Sequence, residues 1–583
     1  MKVFLHISGL EKNINCKKYN NIILSWNLNV INNYCKYYSN KEVFLISNTW
    51  EKHKFKFKKK INNIRKILLD RLYKELNIVN KIEYSKNEWE ILLEPWINIY
   101  LETNYFKWLL LESLQKKYKN FSYLKIISSN QKPFFDTKQY IENCFNNDIF
   151  NHLAFQEMLE FKYKNKNDKI ELNKNFTFKE KFHYKKFKSN FFILLYEKII
   201  SRLKISKVLV HLRTSKTNSI KINFGLKNFP FKGIQIFERN RLYNIFMKSK
   251  YYTSIRKKIN LNEGNSNNFS NYILKRAKFD LPRCFLEDFH NINKLHDKKI
   301  ENINLVITDT IHRYNTIFKS WLAYKKNKNK NFKIVISDHG GIYGNSQRSY
   351  KYDENISNIN FKFQKSLNKK QISLPSLFLE KKNFNIKRKS NILIICHDTT
   401  KYPKYFLTGP ICEQIIFQYE QVKLFVKNFS KYSTNKIFIR PYLIHNGWKL
   451  NERYQKILKN EQIVMENTLY KKIQNESLIK IVTYPKTAYL ECLINGPTFL
   501  LFSKKHYMDS KINEKFMNIL FQNKLAFSDG KDLANHINEI ENDILNWWQQ
   551  PKIQKAIDLF IQNTNIYNKN PTSKWTKVIK KFL

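Results

Sequence analysis

The stretch Lys333-Ile-Val-Ile-Ser-Asp-His-Gly-Gly-Ile-Tyr-Gly344 decides how this chain is read. Its first half is a short β-branched run bounded by polar residues, which predicts a buried strand. The run ends in Asp338 and His339, and Gly340 and Gly341 then break it. Two glycines permit a sharp turn and a close ligand approach. In open α/β sheets, ligands gather beyond the carboxyl ends of strands. A histidine placed there exchanges a proton near neutral pH. Taken alone, the stretch leaves two readings open: a catalytic histidine, or a strand-ending turn whose histidine bonds backbone.

Upstream, Asn304-Leu-Val-Ile-Thr-Asp-Thr310 reads as another strand. Residues 314–325 carry a helical pattern through Ile317, Trp321 and Leu322. Together with the strand at Lys333 this makes a β-α-β unit, the mark of a parallel sheet. Downstream, the Lys- and Ser-rich residues 366–390 with Pro375 read as a connection between domains. A second alternating series follows, with strands at Ile392–Ile395, Lys436–Ile439, Leu478–Thr483 and Thr498–Phe502. Helices are expected between them at 410–428, 449–459 and 487–494, and again from Lys531.

Toward the amino terminus, strands are expected at Val3–Ile7, Glu42–Ser47, Tyr123–Ile127, Lys207–Leu212 and Gly233–Phe237. Helical spacing runs over 52–80 through Ile61, Ile64, Leu68 and Leu72, and again from Asn87 past Tyr100, kinked at Pro95. Residues 160–200 and 212–275 lack clear signals and read as insertions. The expectation is an α/β protein with two Rossmann-type domains facing a cleft. Residues 1–375 would form the first, acceptor-side domain with helical insertions, and 376–390 a linker. Residues 391–545 would form the nucleotide-sugar domain, and the helices of 546–583 would pack back toward the first.

Composition limits the function classes. The 583 residues are 42% hydrophobic and 15% aromatic, which excludes wholesale disorder. The formal net charge of +56 ordinarily points to nucleic acid or membrane. Here the excess is lysine dispersed among Asn, Ile, Phe and Tyr, while arginine, suited to bidentate phosphate and base contacts, is sparse. No specific nucleic-acid partner is expected, although the field would draw in an anionic substrate or acidic lipid. The seven cysteines show no Cys-x-x-Cys spacing, which predicts reduced, buried thiols and no metal site. The first residues make a poor signal peptide, and no apolar run reaches membrane-spanning length. A cytoplasmic protein is expected, with peripheral association at the inner membrane left open.

The second half offers three contacts. In Thr483-Tyr-Pro-Lys-Thr-Ala-Tyr-Leu-Glu491 a strand leads into a helix opened by Pro485. The first-turn amides, with Lys486 and Thr487, would make a diphosphate site, with Glu491 one turn later taking a ribose or sugar hydroxyl. An ordinary helix cap with a solvated glutamate is the alternative. Arg440, opening Arg440-Pro-Tyr-Leu-Ile-His-Asn-Gly-Trp448, could clamp a phosphate with its planar fork, while His445 reads as a loop histidine. His397-Asp398 ends a third strand. Arg440, Tyr484, Lys486, Thr487 and Glu491 are expected to converge on one pocket.

Several blocks together resemble a family of transferases encoded in bacterial O-antigen and surface-polysaccharide gene clusters, whose sequences are similar to GT-B glycosyltransferases. They are Asn87–Tyr100, Asn151-His152, Thr308–Trp321, His339–Gly344, Arg440–Trp448, Tyr484–Pro497 and the Trp547-Trp548 helix. Asp338, His445 and Pro485-Lys486-Thr487 depart from its usual pattern, in which glutamine, an acidic residue and Asn-Ala-Thr stand. The resemblance implies a GT-B-like, metal-independent glycosyltransferase acting in lipopolysaccharide or surface-polysaccharide biosynthesis. It would move a sugar from a nucleotide-sugar donor, a co-substrate rather than a cofactor, to a lipid-linked or surface-polysaccharide acceptor. His339 would be the general base with His312 supporting it, and Gly340 and Gly341 would let the donor approach. No Asp-x-Asp metal motif stands out. A nucleotide-sugar epimerase, a polyol-phosphate transferase and a basic nucleic-acid-binding protein are the alternatives.

Overall fold

The computed structural model describes residues 3–13, 19–27, 41–53, 56–127, 132–163, 169–175, 207–228, 239–261, 264, 266, 268–295, 302–341, 351–381, 390–403, 409–429, 436–507 and 511–583. The strand expected at Gly233–Phe237 and most of the expected linker lie outside them.

The fold is α/β, built on three five-stranded parallel sheets. The first holds β1 (Val3–His6), β2 (Asn20–Leu24), β3 (Lys41–Phe44), β4 (Ser122–Ile127) and β5 (Lys169–Asn175) in the order β3-β2-β1-β4-β5. The second runs β10-β9-β8-β7-β6. Its strands are β6 (Val208–His211), β7 (Leu305–Thr308), β8 (Lys333–Ser337), β9 (Ile359–Lys362) and β10 (Gln371–Ser373). The third runs β12-β11-β13-β14-β15, from β11 (Asn391–Ile395), β12 (Ile437–Arg440), β13 (Ser477–Val482), β14 (Thr498–Leu501) and β15 (Ala526–Phe527). Residues 1–375 thus carry two sheets. In the second and third sheets, the carboxyl ends of β8 and β13 lead into segments that touch each other, a GT-B-like arrangement.

Strand order marks where ligands fit. The order in which the chain adds strands to the third sheet reverses between β11 and β13, and such a switch leaves a crevice beyond the strand ends. The first sheet has a comparable switch between β1 and β4, but side chains fill it. His152 donates from Nε2 to the Leu124 carbonyl, and its Nδ1 accepts from Ser8 Oγ at 2.9 Å. Glu11 packs beside them against the Ile7 and Ser8 amides. Burial pushes His152 down to about 4 and Glu11 up to about 8, the latter against the amide bonds that favour its charge.

The core is organised around the Lys86–Lys117 helix, buried continuously from Glu88 to Leu111. Its apolar residues lie on every side, and Glu94, Asn98 and Glu102 are buried among them. It starts with a capping box, in which Ser85 Oγ accepts from Asn87 N and Glu88 accepts from Ser85 N. Pro95 sits inside it and cannot supply the N–H that Ile91 O would otherwise accept. Tyr352 Oη stands in at 3.0 Å, and also lies 3.2 Å from His312 O. The proline therefore ties this helix to the second sheet's rim.

The final helix, Pro571–Lys580, lies against the second sheet: Trp575 Nε1 donates to Pro375 O at 2.8 Å and its ring meets Phe361. Among the described residues, Cys144, Cys284, Cys396, Cys412 and Cys492 are buried. Among the described residues, no helix is long and apolar enough to cross a membrane.

Candidate functional site

The strand β8 delivers the His-Gly-Gly turn to the second sheet's rim. Asp338 is held by the end of β9, accepting from Lys362 Nζ at 3.0 Å and from Phe363 N at 3.2 Å. His339 follows, half-buried. Gly340 adopts a φ of +63°, a left-handed conformation that favours glycine. A Cβ on Gly341 would stand 2.7 Å from both Thr487 N and Leu490 Cδ1. Only bare backbone fits there. Gly341 N donates to Thr487 Oγ1 at 2.6 Å, across the junction of the two halves.

That contact changes the expected diphosphate site. The helix Thr487–Leu493 is short, and Gly341 covers its first amide, so the helix opening is not bare. What remains is the Thr487 hydroxyl proton, free to donate while its oxygen accepts from Gly341, and the exposed side chain of Lys486.

Beside it lies the β11/β13 crevice. His397 N donates to Thr483 Oγ1 at 2.9 Å, joining the two strand ends. The Tyr484 ring lies 4.9 Å from the His397 imidazole, with Tyr442 at 5.8 Å and Tyr507 at 6.5 Å. Burial pushes the Asp398 carboxyl up to about 6, against hydrogen bonds from Thr399 N and Asn446 that stabilise its charge. Glu491 is half-buried, and its charge helps raise the Tyr484 and Tyr470 hydroxyls, which burial raises most.

Arg440 does not present its fork to this crevice. Its Nη1 donates to Val464 O and Met465 O at 2.8 and 2.6 Å, its Nη2 to Asn467 Oδ1, and the guanidinium lies over the Tyr470 ring. The expected phosphate clamp is a brace for the 464–467 segment, because those carbonyls converge on the end of β12. His445 is exposed.

His312 is fully buried and does not hydrogen-bond His339. Its Nε2 bonds Asp353 Oδ1 at 2.9 Å, and its ring stacks on Tyr352. Nδ1 has no hydrogen-bond partner. Burial lowers the imidazole's pKa, opposed by Asp353. Burial would raise Asp353, but the Arg313 charge and the bonds from His312 and Arg313 hold it well below the usual carboxylate range. The expected support of His339 is thus replaced by an Asp353–His312 pair locked through Tyr352 to the Pro95 gap.

Several rim residues escaped the sequence reading. Asp309, just past β7, is buried and accepts from Arg213 N at 2.6 Å and from Thr310 Oγ1 at 3.0 Å. His211 ends β6, and burial pushes it down to about 4, with Arg213 and His312 adding to the shift. Thr483, Tyr442 and Tyr507 were also missed. For His211 and Asp309, a titratable residue at the end of a β-branched run was the available signal.

Residues 3–579 match the model of the LIC12162 family transferase. Comparison with curated proteins finds no match. Among solved structures, a UDP-GlcNAc 2-epimerase from Neisseria meningitidis has 10% identity and a TM-score of 0.34, covering 65% of this chain and 99% of its own. MurG of Acinetobacter baumannii has 12% identity and a TM-score of 0.32, covering 64% and 100%. The wall teichoic acid polymerase TagF has 10% identity and a TM-score of 0.32, covering 67% and 94%. At such scores nothing of their chemistry carries over. The family match spans nearly the whole chain, and the protein belongs to the LIC12162 family of transferases.

Proposed function

We propose that this transferase is a glycosyltransferase, moving a sugar from a nucleotide-sugar donor to a lipid-linked or surface-polysaccharide acceptor. The observation that carries the reading is the meeting of the His339-Gly340-Gly341 turn with Thr487 beside the aromatic β11/β13 crevice.

In this reading the nucleoside lies in the crevice against His397 and Tyr484, whose flat faces suit a base. The diphosphate lies by Lys486 and the Thr487 hydroxyl. Glu491 accepts a ribose or sugar hydroxyl. Charge developing on the leaving diphosphate is neutralised by the Lys486 ammonium and polar hydrogens of the rim, without a divalent metal. His339 takes the proton of the acceptor hydroxyl as its oxygen bonds to the anomeric carbon. The bond from that carbon to the diphosphate oxygen breaks, and the nucleoside diphosphate leaves with the electron pair. Arg440 and the His312–Asp353 pair are positioning groups.

The products test this. A panel of nucleotide sugars, incubated with and without lipid-linked glycan acceptors, should yield nucleoside diphosphate only with a suitable acceptor, and EDTA should not abolish it. A changed sugar without acceptor would indicate an epimerase. Release of a nucleoside monophosphate from a nucleotide-activated polyol would indicate polyol-phosphate transfer.

A further inference from the structure

We propose that a pocket in the first half, apart from the cleft, binds one neutral sugar ring of a glycan. It is a cavity of about 190 Å³ between the helices Lys86–Lys117, Thr137–Asn146, Asp148–Tyr163 and Phe269–Asp280. That is smaller than the roughly 300–1,000 Å³ of sites for drug-sized ligands, so the space suits a single ring.

Its chemistry is divided. Tyr100, Tyr140 and Tyr272 are 1%, 3% and 3% exposed and give an aromatic floor, completed by Phe150. Near them stands an ionic set that is about a quarter exposed: Arg276 Nη2 bonds Glu157 Oε2 at 2.9 Å and Asp280 Oδ1 at 2.8 Å. Tyr100 Oη donates to Asp280 Oδ2 at 2.9 Å. Lys132 at the rim and Arg276 stand with Glu157 and Asp280, so the lining mixes both signs rather than presenting a single one. Burial keeps the tyrosine hydroxyls protonated, as donors rather than anions. Burial also lifts the Glu157 carboxyl to about 7, against the Arg276 charge. Carboxylates that accept, a guanidinium that donates and flat aromatic carbon together match a ring with hydroxyls on its edge and C–H groups on its faces.

The pocket is also coupled to the second half. Asp148, which opens the helix bearing Phe150, Ala154 and Glu157, accepts from Lys401 Nζ at 2.6 Å and Tyr402 Oη at 2.7 Å. Those two residues follow β11, whose end carries His397. A glycan reaching from cleft to pocket would be held at a fixed distance from the transfer point. That the bound sugar belongs to the acceptor rests on the proposed transfer reaction; its binding does not.

The test uses the full chain with methyl hexosides and methyl N-acetylhexosaminides, followed by saturation-transfer NMR and calorimetry. At least one should bind, with a dissociation constant on the order of 1 mM. Glu157→Gln replaces a carboxyl acceptor with an amide, and Ala154→Phe fills the cavity. Each should weaken binding roughly tenfold or more, while nucleotide-sugar stabilisation of the cleft stays unchanged. Absence of binding to wild type, or undiminished binding in either folded variant, would overturn the proposal. Glycoside binding without any nucleotide stabilisation would keep the pocket and remove the proposed function instead.

Discussion

The Gly341 amide donates to Thr487 Oγ1 at 2.6 Å, so the turn ending β8 is seated on the helix that follows β13. The two halves touch at the point where each half's chemistry-bearing residues are gathered. Glycine is required there by contact, since a Cβ would meet Thr487 N and Leu490.

Gly341→Ala should therefore destabilise the chain by roughly 1–3 kcal/mol, the usual cost of overpacking a closed site. Gly340→Ala adds left-handed strain and the approach to Thr487 Oγ1. Urea unfolding measures both. Wild-type stability in the two variants would mean that the turn does not sit on Thr487.

The Pro95 gap gives a second prediction. Tyr352→Phe removes the group serving Ile91 O and His312 O, and should cost roughly 1–3 kcal/mol for unsatisfied buried carbonyls. With Pro95→Ala in place, the helix's own N–H serves Ile91 O and the loss should shrink. A double-mutant cycle reads this coupling. Additive effects would mean that Tyr352 does not compensate for the proline.

These two relationships also mark what was legible in the sequence. The strands leading to His339 and Thr483 were readable because β-branched runs stopped abruptly at polar residues and glycines. The parallel α/β class followed from their alternation with helices. β2, β9, β10 and β15 were missed, being short or mixed in polarity, and β5 lay in a stretch without clear signals. The side-chain roles were less legible, because they depend on partners distant in sequence. Nothing beside Arg440 in the sequence shows that the carbonyls of Val464 and Met465 take up its fork. Nothing near His312 shows that Asp353 turns it away from His339.

Acid stability should depend on His152. Its folded pKa of about 4 lies below the ordinary 6.5, so between those values the unfolded chain binds a proton that the folded chain refuses. Its contribution is present above pH 6.5 and lost as pH falls toward 4. Glu11 and Glu157, lifted to about 8 and about 7 from 4.5, act in the opposite direction over their own windows. The difference between wild type and His152→Gln cancels Glu157 and reads the histidine together with Glu11, whose carboxyl group lies 3.3 Å from the His152 Nδ1. The wild type should lose more stability from pH 6.5 to 4 than the variant, and parallel curves would refute the buried neutral imidazole.

His339→Ala should lower sugar transfer by about two to four orders of magnitude, the usual cost of a lost general base. Stabilisation by the nucleotide sugar should persist, since the crevice is untouched. Near-full transfer by the variant would remove His339 from the reaction.

The central claim is that a nucleotide sugar binds where Gly341 meets Thr487, beside the β11/β13 crevice. The direct measurement is thermal unfolding of wild type, Lys486→Ala and Thr487→Ala with a panel of nucleotides and nucleotide sugars. A ligand at a hundred times its dissociation constant stabilises by about 2.7 kcal/mol, so a specific donor stands out. The account predicts that one nucleotide class raises the melting temperature of wild type and that both variants lose most of the rise while remaining folded. No stabilisation by any nucleotide, or an equal rise in all three proteins, would contradict it.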